Sequence, residues 1–132
     1  MRRDVYFGFL RLYGEEDSST ISEAFNYANT LVDLERFEEG RSLMHKVIPM
    51  ARRVFGETYE LTLRMRWVYA RSLYGDAATL ADFREVFTTF EDLERTARRV
   101  LGNLHPIARG IETALRGARA ALRARETPPG AA

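Results

Sequence analysis

The sequence predicts an all-α protein of about six helices, arranged as tandem antiparallel helical hairpins. Three observations predict this class. Apolar residues recur at steps of three and four, which is the spacing of one helix face. The segment ARRVFG at 51–56 recurs as ARRVLG at 97–102. Glycines suited to ending helices stand at Gly14, Gly56 and Gly102, at intervals of 42 and 46 residues.

The composition is that of one folded domain, and it limits the classes of function. The 132 residues are 45% apolar with a net charge of +1, so the overall charge recruits neither nucleic acid nor anionic lipid. Cysteine is absent, which excludes disulfides and thiol nucleophiles. The first residues lack a secretory signal, and no stretch reaches the ~18 apolar residues of a membrane span. We therefore expect a cytoplasmic protein that does not contact membranes.

The first element is a helix that closes a half-hairpin over residues 4–14. Its apolar residues lie at steps of four and three before Gly14, which can take the positive φ that ends a helix. An unpaired half-hairpin exposes apolar surface, at a cost of roughly 25 cal/mol per Å². We therefore expect the chain to belong to a longer array or to form homo-oligomers through the side chains of Val5, Phe7, Phe9 and Leu12.

The first complete repeat is predicted over residues 20–56. Thr20 and Glu23 have the spacing of a capping box, so a helix is expected from 20 to about 35. Small or apolar residues on one face of the next helix are Phe37, Gly40, Met44, Val47, Ala51 and Val54.

The second repeat, over residues 58–102, copies the first. Its opening helix is expected over 58–74, and Thr79 and Asp82 form a capping pair for the next helix. A shift of 46 carries the six positions of the first repeat onto residues that are again small or apolar. This agreement indicates an internal repeat. The shifted positions are Phe83, Val86, Phe90, Leu93, Ala97 and Val100.

A capping helix over 105–125 is expected to close the array. Pro106 suits the first turn of a helix, where its missing amide hydrogen costs little, and His105 is interpreted as a cap residue. Residues 127–132 are predicted to be a disordered tail, and residues 1–126 a single domain. The residues predicted to face inward are Ile107, Ile111, Ala114, Leu115, Ala118 and Leu122.

The residues at the first turn resemble the tetratricopeptide pattern. ANTL at 28–31, followed by LERFEEG at 34–40, places a small residue and an aromatic anchor around a turn between paired helices. GNLHP at 102–106, with a period of about 42, is similar to the kinesin-light-chain type of this repeat. Gly40 stands where an alanine is usual, and the customary turn glycine is replaced. The resemblance spans about residues 5–122. It implies a right-handed superhelix and a non-catalytic scaffold that binds a peptide or a partner helix in a concave groove.

The opening helices line that groove if the resemblance holds. Asn26 and Asn29 match the asparagines with which such repeats hold a peptide backbone. The second opening helix offers Arg64, Trp67, Arg71 and Tyr74 on one face. Arginine pairs bidentately with carboxylate, so this groove suits an acidic segment that carries an apolar anchor. The alternative interpretation is a solvated row of arginines beside a half-buried tryptophan.

Other classes of function have weaker support in the sequence. No nucleophile has a base at a suitable spacing, so we expect no catalysis and no cofactor. His45 and His105 lack acidic neighbours at metal-ligand spacing, so we expect no metal site. One alternative is a small helical-bundle enzyme or ligand-binding domain with an enclosed pocket.

The excess of arginine in residues 97–132 raises a second alternative, weak binding of nucleic acid. This segment holds two acids, and no aromatic residue for base stacking follows Phe90. Solvation or salt bridges are the preferred account of its arginines, and we do not expect a nucleic-acid partner. These arginines are Arg98, Arg99, Arg109, Arg116, Arg119, Arg123 and Arg125.

Overall fold

The computed structural model describes residues 2–126, except the side chain of Arg125, and this part of the chain forms six α-helices and no strand. The all-α class is therefore confirmed. Boundaries of the predicted helices lie within about two residues of those observed. Residues 127–132, predicted as a tail, lie outside the described residues. The helices are α1 (Arg2–Tyr13), α2 (Ser18–Asp33), α3 (Phe37–Phe55), α4 (Glu60–Gly75), α5 (Leu80–Leu101) and α6 (Pro106–Glu126).

The chain divides into two compact units, Met1–Gly75 and Asp76–Ala132. Within the first unit, α2 contacts α1, α3 and α4, and α3 also packs on α4. Within the second unit, α5 packs on α6. The boundary between the units falls inside the predicted repeat 58–102, and the single domain over 1–126 stays a prediction.

Three glycines with positive φ follow helices, as the sequence predicts. Gly56 ends α3 with φ 95° and ψ 159°, and Gly102 ends α5 with φ 91° and ψ 159°. Gly14 follows α1 with φ 88°. The amide of Gly56 donates to the carbonyl of Arg52 at 3.0 Å, and that of Gly102 to the carbonyl of Arg98 at 3.0 Å. The two copies of the repeated segment therefore end their helices in the same way.

The repeated apolar face is buried in both copies except at its last position and, in the first copy, at its first position. Phe37 is half-buried, whereas its counterpart Phe83 is buried. Val54 and Val100 are 42% and 39% exposed, so the last position of the face reaches solvent in each copy. The buried positions are Gly40, Met44, Val47 and Ala51 in α3, and Phe83, Val86, Phe90, Leu93 and Ala97 in α5.

The capping box predicted at Thr20 and Glu23 is wrong. The N-cap of α2 is Asp17, whose carboxylate accepts from two amides of the first turn at 2.9 and 3.2 Å. Thr20 is instead buried inside the helix, and its hydroxyl donates to the carbonyl of Phe9 at 3.2 Å. An aspartate caps a helix as well as a threonine does, so Thr20 is available to link α2 to α1.

The capping pair predicted before α5 is confirmed. The amide of Asp82 donates to the Thr79 hydroxyl at 3.1 Å. The carboxylate of Asp82 accepts from the amides of Ala78 and Thr79, and these bonds lower the pKa of Asp82.

The turn after α2 places a side chain where the resembled family usually has glycine. Glu35 has a φ of 61°, in the left-handed region. Its amide donates to Val32 at 3.0 Å, and the amide of Arg36 donates to Leu31 at 2.8 Å. These are the two bonds of a Schellman motif, and they satisfy the carbonyls of Leu31 and Val32 near the end of α2. They require Glu35 to adopt a left-handed conformation that is unfavourable for a residue with a side chain.

Gly40 marks a close approach of α3 to α2. A Cβ atom on Gly40 would lie 2.8 Å from Cγ2 of Val32 and 3.3 Å from the carbonyl oxygen of Ala28. A similar contact joins α3 to α4, because a Cβ on Gly75 would clash with the ring of Phe37. The aromatic ring that begins α3 therefore lies against the end of α4.

We expect Gly40→Ala to destabilise the protein relative to Gly8→Ala. Both glycines lie inside helices of the first unit, so the gain in helix propensity is similar, but a Cβ on Gly8 meets nothing within 4 Å. Overpacking should lower the free energy of unfolding of Gly40→Ala by about 1–3 kcal/mol relative to Gly8→Ala. Urea unfolding measures the difference, and equal stabilities would contradict the close approach.

Candidate peptide-binding surface

Two of the six predicted groove residues contact each other directly. Arg71 on α4 donates from Nη1 to Oδ1 of Asn29 on α2 at 3.0 Å. Nη2 of Arg71 donates to Oδ1 of Asp33, one helical turn further along α2, at 2.8 Å. Arg71 follows Asn29 by 42 positions, the interval between the first two helix-ending glycines. Residues that are equivalent under this shift therefore lie side by side.

The other predicted groove arginine also pairs with a carboxylate of this chain. Nη2 of Arg64 lies 2.9 Å from Oε1 of Glu60, and both side chains are nearly half exposed, at 47% and 45%. Exposed ion pairs of this kind contribute about 0–1 kcal/mol, because water and salt screen them. An acidic ligand could therefore replace Glu60 or Asp33 at small cost.

The remaining predicted residues differ in their exposure. Trp67 is half-buried, and its Nε1 atom is buried with no hydrogen-bond partner among residues 2–126. Asn26 is half-buried, and its backbone carbonyl accepts from the Thr30 hydroxyl at 3.0 Å. Tyr74 is 39% exposed near the end of α4. The half-buried indole of Trp67 thus lies on the same helix as Arg64 and Arg71, each of which pairs with a carboxylate of this chain.

The acidic partners of the two arginines differ in how far the sequence indicates them. Glu60 precedes Arg64 by four residues on one helix, and that spacing alone indicates a side-chain pair. Asp33 lies one turn after Asn29 on the same helix face, but its pairing with Arg71 depends on the packing of α2 beside α4. Sequence spacing therefore indicates the pair of Glu60 and Arg64, but it does not indicate the pair of Asp33 and Arg71.

The apolar surface predicted on α1 is found at three of its four residues. Val5, Phe7 and Leu12 are 41%, 44% and 75% exposed, whereas Phe9 is half-buried. Tyr6 is the only residue of α1 that is buried, and α1 packs on α2. Val5 and Leu12, seven residues apart, share a face of α1 that is open within its unit, whereas Phe7 lies on another face and lines a cleft with α2 and α3.

Three arginines of the second unit pair with an acid of their own helix or of the neighbouring helix. Arg119 lies 3.5 Å from Glu91, and its guanidinium carbon lies 5.0 Å from the centroid of the Phe87 ring. These contacts agree with the salt-bridge interpretation of the basic segment. Further pairs are Arg98 with Glu94 and, at 3.0 Å, Arg116 with Glu112.

Within the described chain, no group of three or more histidine or acidic side chains could hold a metal ion. The prediction that His105 is a cap residue is confirmed, because its Nδ1 accepts from the amide of Ile107 at 3.1 Å. His45 is exposed on α3. None of the described helices combines the length and apolar character of a membrane span.

The alternative of a ligand-binding domain predicts an enclosed pocket, whereas the cleft between α1, α2 and α3 is open. It has a volume of about 400 Å³ and combines aromatic rings with two glutamates and one lysine. Tyr6 is one of its lining residues, and burial raises the pKa of the Tyr6 phenol. The lining is Tyr6, Phe7, Leu10, Tyr27, Leu31, Glu38, Glu39, Ser42, Leu43 and Lys46.

No protein-family model, curated protein or solved structure matches this chain at a significant level. The likeness to tetratricopeptide repeats therefore remains a resemblance based on residues 28–40 and 102–106. What the chain binds has to be inferred from its own surface chemistry.

We expect a measurable coupling between Asn29 and Arg71. A double-mutant cycle of Asn29→Ala and Arg71→Ala, followed by urea unfolding, should give an interaction energy of about 0.2–1 kcal/mol. The same cycle on Glu60 and Arg64 is the control, with about 0.3–0.5 kcal/mol expected for a pair within one helix. Strictly additive effects of the two groove variants would show that α2 and α4 do not bring these side chains together.

Proposed function

We propose that this protein is a non-catalytic protein–protein interaction scaffold of the cytoplasm. Its tandem helical hairpins would form a tetratricopeptide-like right-handed superhelix that binds a peptide or a partner helix on the surface of α2 and α4. The contact between Asn29 and Arg71 is the main support for this proposal. Stacked repeats place equivalent residues of their opening helices side by side, and these two residues are separated by one repeat interval.

The chemistry of the surface favours an acidic segment as the ligand. Arg71 is 37% exposed and Arg64 47% exposed, so each guanidinium can reach a ligand carboxylate. Their present partners, Asp33 and Glu60, are 59% and 45% exposed and would be released to water without becoming buried charges. Trp67, which lies between the arginines in the sequence of α4, would contact an apolar side chain of the ligand.

We also propose that the open side of α1 binds a second copy of the chain or a neighbouring repeat. A shift of 42 relates Val5 and Phe9 of α1 to Val47 and Ala51 of α3. Val47 and Ala51 are 3% and 0% exposed, whereas Val5 is 41% exposed. This helix face is thus covered in α3, whereas in α1 it is exposed at Val5 and half-buried at Phe9, which supports a binding partner on that face.

The groove can be tested with acidic peptides. A fluorescent peptide of alternating glutamate and leucine should bind the native chain, and the Asn29→Ala, Arg71→Ala double variant should bind at least about tenfold more weakly, a loss of about 1.4 kcal/mol. Arg116→Ala, which breaks an exposed pair on α6, is the matched control and should bind like the native chain. Equal binding by all three proteins would refute the groove assignment.

Self-association can be tested by light scattering. We expect the native chain to show a concentration-dependent mass, and Leu12→Glu to remain monomeric because a charge on the exposed face opposes burial. Leu104→Glu changes another exposed leucine, 82% exposed in the turn before α6, and should leave association unchanged. A native chain that stays strictly monomeric at millimolar concentration would contradict self-association.

A further inference from the structure

A second cleft lies where the first turns of α2 meet α1, the end of α3 and the start of α4. Its volume is about 400 Å³, and all of its lining residues belong to the first unit. One carboxylate, three serine hydroxyls and three aromatic rings line it, and its lining includes no basic side chain. The lining residues are Phe9, Ser18, Ser19, Ser22, Glu23, Phe55, Tyr59 and Leu61.

The carboxylate of Glu23 lacks a hydrogen-bond donor at one of its oxygens. Oε2 of Glu23 is buried and accepts no hydrogen bond from the described residues. Nη1 of Arg2 lies 3.9 Å from this oxygen, which is beyond hydrogen-bonding distance, and the Arg2 side chain is 53% exposed. A buried carboxylate oxygen is normally satisfied by a donor, and this one has none within hydrogen-bonding distance among the described residues.

The other lining residues suit a cation that carries N–H donors. The rings of Phe55 and Tyr59 stack at 5.0 Å between centroids with 13° between planes, and they form one wall of the cleft. Aromatic faces attract ammonium and guanidinium groups. The Ser22 hydroxyl donates to the carbonyl of Ser18 at 3.0 Å, so its own oxygen remains able to accept from a ligand.

Apart from Arg2, the charges around the cleft do not oppose a cation. Arg53 pairs with Glu16 on the turn before α2, and Arg52 pairs with Glu57 at 3.3 Å. The positive end of the α2 dipole also faces this region, but the Asp17 carboxylate accepts from two of its amides and offsets that charge. Glu23 is therefore the charged group that acts on the inside of the cleft.

We propose that this cleft binds an alkylammonium group, carried either by a free amine or by a lysine side chain of a partner. The ammonium would donate to Glu23 and Ser22 and lie against the aromatic wall of Phe55 and Tyr59. Arg2 would compete with the ligand for Glu23, because it is the cation already closest to hydrogen bonding there. This site is separate from the α2–α4 surface proposed for acidic segments.

Titrations with n-butylammonium, followed by the backbone amide signals of Ser19 and Ser22, test this proposal. We expect Glu23→Gln to weaken binding by about tenfold, because the charge is lost and the shape is kept. We expect Arg2→Gln to strengthen binding by about threefold, because the competing cation is removed. A loss of folding cannot produce the second effect. Glu85→Gln, an exposed carboxylate on α5, is the control and should leave binding unchanged.

Three outcomes would overturn the proposal. They are equal binding of neutral n-butanol, native-like binding by Glu23→Gln, and weaker binding by Arg2→Gln.

The blocked peptide acetyl-Gly-Lys-Gly-amide distinguishes the two sources of the ligand. A peptide affinity about tenfold above that of n-butylammonium supports a lysine of a partner protein, and equal affinities support a free amine. Failure of these titrations leaves binding of acidic peptides at Asn29 and Arg71 unaffected.

Discussion

The packing of α2 against three neighbours is the constraint on which the first unit depends. α2 contacts α1, α3 and α4, and its face toward them includes Ala24 and Ala28, which are 1% and 0% exposed. Small side chains let helix axes approach closely. Gly40 of α3 has no side chain at the point where a Cβ would lie 2.8 Å from Cγ2 of Val32 on α2. Because α2 also carries Asn29, Asp33 and Glu23, this packing positions both candidate binding sites.

Buried hydroxyls connect the ends of successive helices in the first unit. Thr20 and Thr62 are 42 positions apart, and their exposed fractions are 1% and 0%. Thr20 donates to the carbonyl of Phe9 at 3.2 Å, and Thr62 donates to that of Gly56 at 2.9 Å. Each hydroxyl therefore donates to a backbone carbonyl in the preceding helix or directly after it. The repeat interval thus relates the two buried donors, although their acceptor carbonyls are not equivalent positions.

Energetics separate the residues that stabilise the fold from those suited to binding. Buried positions such as Phe90 and Leu93 are each 1% exposed, and burial of such a side chain contributes about 1.5–3 kcal/mol. The exposed pairs of Arg64 and Arg71 contribute about 0–1 kcal/mol each. A ligand can therefore rearrange these arginines with little loss of stability, whereas changes at the buried face would destabilise the fold.

The periodicity of apolar residues determined the helices, the repeat shift and most of the buried positions. The start of α2 was assigned wrongly because Asp17 and Thr20 are both good N-caps, and only the contact with Phe9 in α1 decides between them. The sequence also does not predict that Arg71 pairs with Asp33. Helix formation depends on residues three and four positions apart, which the sequence displays directly. The partner of a side chain on another helix depends on which helices pack together and how closely, and tertiary structure alone decides that.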